Sequence, residues 1–354
     1  MNMKRTIATI VTVALVIGFG GSAALGGAVG DAITRAADDL DLDQLGSGSW
    51  TGEASFTGES VAGLVHAYEL TAQASYKATA EDGGDYCLYD EGGYNDGTGL
   101  YSTGLYAGGA YALTRLSQIS ATPASNSWRT AVDNFYEQVR TGSGTQTYID
   151  YLLTNSEDSS AVYDIARHTL AASYVGATEQ GLFRSGLIDA LADIQDTDAS
   201  PVMALGMAVW GLAQTGSMDS TLVDAGAPGG SLWDGVTLAG LPGMLAAEQA
   251  LDGSFYTKFD HGEGSGFTET TAMGTLGLIA ADGSTYASEI LGARLVLAGG
   301  VDTGGDVYWK IGDNSYAQYY FAAGETLEAL PEPGTLLVLG LAGIVCLYRR
   351  RRSE

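Results

Sequence analysis

The sequence predicts an all-α protein, an α/α toroid of about five helical hairpins, with an open α-solenoid as the rival architecture. Two observations support this fold. Amphipathic segments alternate with segments that are apolar and small on nearly all sides, and the short Val- and Ile-rich runs typical of buried strands are absent from the body. A helix that is apolar all round must be covered on every side, so a ring of inner helices inside a ring of amphipathic helices satisfies the alternation.

The N-terminal segment has the layout of a secretory signal peptide. Lys4 and Arg5 precede an apolar run over 6–19, and small residues follow as far as Ala28. We expect cleavage after Ala24 or Ala28 and assign residues 1–28 to the signal. Residues 29–57 are interpreted as an acidic leader rich in Gly and Ser, and residues 58–330 as the helical toroid domain.

The amphipathic segments are predicted to form the outer helices. In Ser125–Arg140, apolar residues recur at helical spacing on one face, with charged residues elsewhere. The same pattern marks Glu59–Ala80, Leu182–Ile194, Thr285–Ala298 and, more weakly, Leu238–Ala250.

The second kind of segment is built from Ala, Gly, Leu, Met, Tyr and Thr, and small residues allow helices to pack closely. We predict that these segments form the inner helices: Leu100–Leu116, Ala161–Val175, Ser200–Gln214, Thr268–Ala281 and Ser315–Leu330. Pro201 suits the first turn of its helix.

One short motif resembles a known repeat. The run from Gln249 to Phe255 reads Q-A-L-D-G-S-F and resembles the Q-x-x-D-G-S-W repeat of the terpenoid-cyclase and protein-prenyltransferase toroid superfamily. In that family the Gln and the aromatic residue tie neighbouring helices together, so the resemblance implies a structural role. The acid motif D-x-D-D of terpenoid cyclisation is incomplete at Asp196–Ala199, and the three histidines are too far apart for a zinc site.

Charge and cysteine content narrow the classes of partner. The chain carries 16 Lys and Arg against 42 Asp and Glu, a formal net charge of −26. Such a surface repels nucleic acids and anionic lipids and suits cations, neutral glycans or a hydrated matrix, although solubility alone explains it equally well. Cys346 lies in the C-terminal tail, so Cys87 has no partner for a disulfide within the body.

The loops that lead from outer to inner helices combine carboxylates with aromatic rings. A toroid brings these loops to one rim, where rings stack on sugars and carboxylates hydrogen-bond hydroxyl groups. A structural origin, with Asp-Gly turns and tyrosines plugging the ring, is the alternative. The candidate substrate-binding residues are Tyr94, Asp96, Asp252, Phe255, Asp260, Glu263 and Trp309.

No cofactor or metal is expected from the motifs. Calcium near 90–96 or 302–306 stays an open alternative, because neither segment has the regular spacing of a calcium loop.

The C-terminal tail combines three features in order. Pro331, Glu332 and Pro333 precede an apolar run over 335–348, which is followed by four arginines, Arg349, Arg350, Arg351 and Arg352. This order resembles the PEP-CTERM sorting signal, with an ordinary membrane anchor as the alternative, and residues 331–354 are assigned to it. The resemblance implies recognition by exosortase, anchoring in the inner membrane during transit, and release to the cell surface or the extracellular space.

Three functions stay open. The absence of a catalytic signature favours a non-catalytic surface or matrix protein associated with extracellular polysaccharide. A secreted glycan hydrolase or lyase, and a glycan-binding module without turnover, are the alternatives. Arg167 and His168, with Tyr163 one turn before, resemble groups that toroidal polysaccharide lyases use, but a packed histidine is the favoured interpretation.

Overall fold

The computed structural model describes residues 27–50, 56–89, 105–120, 126–142, 144–156, 158–262 and 264–330. Helices dominate these residues, and β-structure within them is limited to isolated bridges such as that between Tyr308 and Gln318. The α-helices are α1 (27–43), α2 (Thr57–Thr71), α3 (Ala74–Tyr89), α4 (Ala107–Ile119), α5 (Ser127–Thr141), α6 (Thr145–Asn155), α7 (Asp158–Val175), α8 (Gln180–Asp193), α9 (Pro201–Thr215), α10 (Leu241–Ala247), α11 (Thr268–Asp282), α12 (Ala287–Gly300) and α13 (Tyr320–Ala329).

Six of these helices form a closed inner ring. Each packs against the next in the order α2, α4, α7, α9, α11 and α13, and α13 packs back against α2. An outer helix precedes each inner one, so the described residues build six outer–inner hairpins, one more than the sequence suggested. The prediction of an all-α toroid is confirmed, and the closure between α13 and α2 distinguishes it from an open solenoid.

Close packing of the inner helices depends on glycine. A Cβ at Gly63 of α2 would lie 2.5 Å from the Cα of Gly324 on α13, where the ring closes. Likewise, a Cβ at Gly206 of α9 would lie 2.8 Å from the carbonyl carbon of Met273 on α11. These backbones therefore approach more closely than any larger residue permits.

Residues 59–80, interpreted above as one outer helix, belong to two helices with different environments. The chain turns at Ala72, whose φ of 57° is left-handed, and the part before it is the inner helix α2. Val61, Leu64 and Val65 do mark one apolar face, but the small residues opposite them are covered as well.

The interpretation of residues 29–57 as a leader also differs from the structure. Residues 27–43 form α1, an outer helix with Val29, Ile33 and Leu40 buried in the core. Trp50 Nε1 donates to the carbonyl oxygen of Leu40 at 2.9 Å, which fixes the chain as it leaves this helix. The helical ring therefore begins before residue 58.

The Q-x-x-D-G-S-F run has the structural role that its resemblance implies. Gln249 Nε2 donates to the carbonyl oxygens of Gly253 at 2.8 Å and of Glu289 on α12 at 2.7 Å. Phe255 is fully buried against Gly274 of α11. The motif thus joins two neighbouring hairpins.

None of the described helices is long and apolar enough to cross a membrane.

Candidate functional site

All six inner helices begin at the same end of the ring, around a cavity of about 420 Å³. Helix N-termini favour negative charge, so carboxylates in their first turns are stabilised there. The cavity is lined by Phe56, Glu59, Tyr106, Ala107, Gly108, Ser159, Ser160, Tyr163, Asp164, Ala199, Ser200, Met203, Glu269, Trp309 and Phe321. This end is also where the outer-to-inner loops lie, as the toroid prediction requires.

Arg167 of α7 forms the floor beneath the cavity. It is fully buried, and its guanidinium nitrogens lie 3.3 Å from Glu325, 3.7 Å from Glu328 and 3.9 Å from Glu59. The rings of Tyr111, Tyr163 and Trp210 surround the guanidinium, with centroids 5.1, 5.0 and 5.6 Å from its carbon atom. One cation therefore faces three carboxyl groups in a water-poor environment, where unbalanced charge is costly.

The Tyr163 hydroxyl joins two of these carboxyl groups. Its oxygen lies 2.9 Å from Oε1 of Glu59 and 2.7 Å from Oε1 of Glu325. A phenol has a single proton to donate, so a second hydrogen bond of this kind requires a proton on one of the two carboxyl groups. Burial raises the pKa of Glu59 and of Glu325, which agrees with a shared proton.

Glu269 is the carboxyl group that opens into the cavity. It lies in the first turn of α11, and no hydrogen bond from the described residues reaches its carboxyl. Although the side chain keeps some contact with cavity solvent, protein surrounds it on most sides. This burial, together with the nearby Glu59 and against the opposing effect of Arg167, raises its pKa to about 7.

Asp164, the neighbour of Tyr163 on α7, is half-buried and lines the same cavity. The cavity thus holds carboxyl groups from three inner helices, α2, α7 and α11. Aromatic rings form much of the remaining wall, and Trp309 is held edge-on by Phe267 and Tyr319 with centroids 6.0 and 5.6 Å away.

Four of the candidate residues named from the sequence belong to the described part of the chain, and of these four Trp309 is the one that lines the cavity. The prediction that Phe255 binds sugar is wrong, because its ring is fully buried. Asp252 and Asp260 are exposed and accept hydrogen bonds within their own turns, from Ser254 and Gly262. Tyr94, Asp96 and Glu263 lie outside the described residues.

The cavity carboxyl groups were not predicted as site residues, because the combination of acidic and aromatic residues that indicated a site lies in the loops. Glu59, Asp164 and Glu269 lie on the inner helices α2, α7 and α11, and Arg167 lies on α7 between apolar residues such as Ala166 and Leu170. A charge inside a helix that is apolar all round must find a partner when the helix is buried. That signal was present in the sequence.

His168, next to Arg167, points away from the cavity. It is fully buried, stacks on Phe135 and Phe183, and contacts the hydroxyl groups of Tyr136 and Tyr148 at 3.3 and 3.0 Å. Burial lowers its pKa to about 3, so the imidazole is neutral at ordinary pH. It is a packed histidine.

At the proposed calcium segment, Asp302 Oδ1 accepts the backbone amides of Gly304, Gly305 and Asp306 at 2.7, 2.9 and 3.0 Å. This is the arrangement of a side-chain-stabilised turn. Within the described residues, no group of three or more His, Cys, Asp or Glu side chains is arranged to hold a metal ion.

Residues 329–352 match the family model of the PEP-CTERM protein-sorting motif. The C-terminal segment therefore carries this sorting signal, and the chain is an exported protein processed by exosortase after anchored transit through the membrane. The tail itself lies outside the described residues apart from its first two positions.

A solved structure named as a polysaccharide lyase has a similar fold. It superposes with a TM-score of 0.54 over 90% of this chain and 98% of its own length, at 14% sequence identity. At this identity the likeness shows the toroid fold alone. No curated protein matches the sequence.

Proposed function

We propose that the toroid is an extracellular glycan-active enzyme that hydrolyses glycosidic bonds with the carboxyl groups of its central cavity. The observation that carries the proposal is Glu269, a carboxyl group with a pKa of about 7 that faces an aromatic-walled cavity. A general acid works best when its pKa lies near the operating pH. Glu269 meets this requirement because burial keeps it partly protonated.

Glycoside hydrolysis needs a second, ionised carboxylate beside the acid. We assign this role to Asp164, which lines the same cavity from α7 and lies nearer to solvent than the carboxyl groups of the floor. Trp309, Tyr106 and Phe56 supply flat surfaces on which sugar rings stack. Glu59, Glu325 and Tyr163 form the support beneath, where their shared proton and Arg167 limit the charge next to the acid.

Hydrolysis fits this cavity better than elimination. Elimination from a uronic acid polymer requires that the substrate carboxylate be neutralised as charge develops on the sugar. Arg167 is fully buried and already faces three carboxyl groups, so it is poorly placed to neutralise another. The negative field of the cavity repels an anionic sugar.

The export route supports the same function. An exosortase-sorted protein reaches the cell surface or the extracellular space, where it can meet exported polysaccharide. We therefore assign the extracellular polysaccharide of the producing cell as the partner, with exosortase and the inner membrane as transient partners. Hydrolysis gives a role to a cavity lined by carboxyl groups with raised pKa values. A non-catalytic surface protein has no use for such a cavity.

The test is incubation of the protein recovered from producing cells with the purified exopolysaccharide of those cells, followed by measurement of new reducing ends. We expect cleavage that falls at least 100-fold in Glu269→Gln and in Asp164→Asn, as loss of an acid or base group implies. Glu137→Gln on the exposed face of α5 is the matched control and should cleave normally. Retention without cleavage would identify a glycan-binding module, and neither retention nor cleavage would identify an inert surface protein; both results overturn the proposed hydrolysis.

A further inference from the structure

We infer that the cavity selects sugars that carry a free amino group, so that its substrate is a polysaccharide with non-acetylated hexosamine units. This inference rests on the proposed function and specifies the substrate class of the same site. It follows from an imbalance of charge around the cavity.

The walls and floor of the cavity hold more carboxyl groups than cations. Glu59, Asp164 and Glu269 line the cavity, and Glu325 and Glu328 lie beneath it. Arg167 is ion-paired with Glu59, Glu325 and Glu328, and Arg115 acts on Glu328 from the far side, so two cations accompany five carboxyl groups. Glu59 is 2% exposed, and its Oε2 has no hydrogen-bond partner among the described residues. A buried carboxylate in this condition stabilises a ligand that brings positive charge, because the cost of its own burial is then offset.

Among the described residues, no Lys, Arg or His side chain lines the cavity. Lys310, the neighbour of Trp309, lies over the rings of Phe267 and Tyr316 at 5.9 and 5.8 Å and does not line the cavity. The body segments outside the described residues, 51–55, 90–104, 121–125, 143, 157 and 263, contain no Lys, Arg or His. The complementary cation must therefore come with the ligand.

A primary ammonium group matches the site in chemistry. It offers three donors from one point charge, as the lysine side chain does. The Glu269 carboxyl accepts no hydrogen bond from the described part of the chain, and Trp309 and Tyr106 provide ring faces that attract cations. An N-acetyl group removes the charge and adds bulk, and a uronic acid carries charge of the same sign as the cavity.

The protein as a whole also attracts polycations, since its formal net charge is −26. A test must therefore separate binding in the cavity from attraction to the surface. Substitution of Glu269 by Gln preserves side-chain size and changes the charge of the cavity by at most one unit, a small fraction of the total. Attraction to the surface should barely respond to it.

The experiment compares three oligosaccharides of equal length by calorimetry at pH 7 and about 0.15 M salt, where surface charges are largely screened. They are β-linked glucosamine, its fully N-acetylated counterpart, and glucuronic acid. We expect the glucosamine oligomer to bind the protein from producing cells at least ten-fold more tightly than the acetylated one, and glucuronate to bind most weakly. Glu269→Gln should reduce the preference for glucosamine to near parity, and most of the change should come from weaker binding of the glucosamine oligomer.

Equal or tighter binding of the acetylated oligomer would overturn the inference, and so would a preference that survives in Glu269→Gln. Cleavage of the producer's own polysaccharide, measured separately, would leave the proposed function intact in either case. If the melting temperature shows that Glu269→Gln does not fold, the same comparison of glucosamine and acetylated oligomers is made with Asp164→Asn. An oligolysine of equal charge should bind wild type and Glu269→Gln alike, and a matching loss with oligolysine would overturn selection for a sugar.

Discussion

The hydroxyl oxygen of Tyr163 lies 2.7 Å from Oε1 of Glu325, and this hydrogen bond joins α7 to α13 across the floor of the cavity. The same oxygen reaches Glu59 of α2, so three inner helices meet at one phenol. The polar floor therefore contributes both to closure of the ring and to the protonation of the groups above it.

Tyr163→Phe tests this arrangement. The substitution leaves buried oxygens of Glu59 and Glu325 without their donor, and an unsatisfied buried group of this kind costs about 1–3 kcal/mol. We expect that loss in the free energy of unfolding, measured by urea denaturation. Tyr316→Phe, at an exposed tyrosine, is the control and should stay within about 0.5 kcal/mol of wild type. Equal effects of the two substitutions would show that the phenol bridge has no energetic role.

The raised pKa of Glu269 predicts how stability depends on pH. Its pKa is about 7 in the folded protein against 4.5 ordinarily, so the folded state binds more protons than the unfolded state between these values. The stabilising contribution of Glu269 is therefore complete below pH 4.5 and is lost as the pH rises through 7. Glu269→Gln should gain stability relative to wild type as the pH is raised from 5 to 8.

Other groups titrate in the same range and must be held constant. Asp39, with a pKa of about 7, acts in the same direction, whereas His168, with a pKa of about 3, favours stability as the pH rises to 6.5. Both are present in wild type and variant, so the difference between the two urea-unfolding curves reports Glu269 together with its coupling to Glu59, Glu325, Tyr163 and Arg167. A difference that does not change between pH 5 and pH 8 would contradict the assigned pKa.

The toroid was predictable from sequence because its signal is repeated. Alternation of apolar and amphipathic segments occurs in several hairpins, so one misread segment leaves the fold unchanged. The burial of α2 was harder to predict, since Val61, Leu64 and Val65 fit an outer helix, and its other face is covered by contacts such as that between Gly63 and Gly324. Local pattern specifies the helix, whereas ring closure decides which helices are buried.

The site was harder to predict than the fold. Trp309 was predicted as a site residue because it lies in an outer-to-inner loop rich in aromatic and acidic residues, and in the structure it lies on the cavity wall. Phe255 met the same criteria, but Gln249 ties its loop to α12 and places the ring in the core. The carboxyl groups that line the cavity belong to three different inner helices, α2, α7 and α11, so their convergence depends on the tertiary structure.

Close packing between α9 and α11 predicts opposite effects for two glycines. A Cβ at Gly206 would lie 2.8 Å from the backbone of Met273, so Gly206→Ala forces helices apart and should cost about 1–3 kcal/mol. A Cβ at Gly181 of α8 has nothing within 4 Å, so Gly181→Ala should be neutral or stabilise by up to about 1 kcal/mol through helix propensity. Thermal or urea unfolding of both variants is the measurement. The same sign for both would argue against the inner position of α9.

The sorting motif predicts processing at the C-terminus. Exosortase processing should remove the arginine cluster at 349–352, and cleavage of the signal peptide should occur after Ala24 or Ala28. Intact-mass spectrometry of protein recovered from the surface of producing cells will give both ends. Replacement of Pro331, Glu332 and Pro333 by alanine should leave the tail attached and the protein in the membrane fraction. Surface-recovered protein that keeps its arginines would contradict the processing.

Trp309 and Phe255 provide a matched pair that separates binding from stability. Trp309 lies on the cavity wall, so Trp309→Ala should weaken binding of glycan several-fold, since stacking contributes on the order of 1 kcal/mol beyond burial of area. Phe255 is fully buried beneath Gly274, so Phe255→Ala should cost about 3–5 kcal/mol of folding free energy. Retention on the producer's exopolysaccharide measures the first effect and urea unfolding the second. Were Trp309→Ala to retain glycan as wild type does, the aromatic wall would have no part in binding, because the ring would then contribute packing against Phe267 and Tyr319 alone.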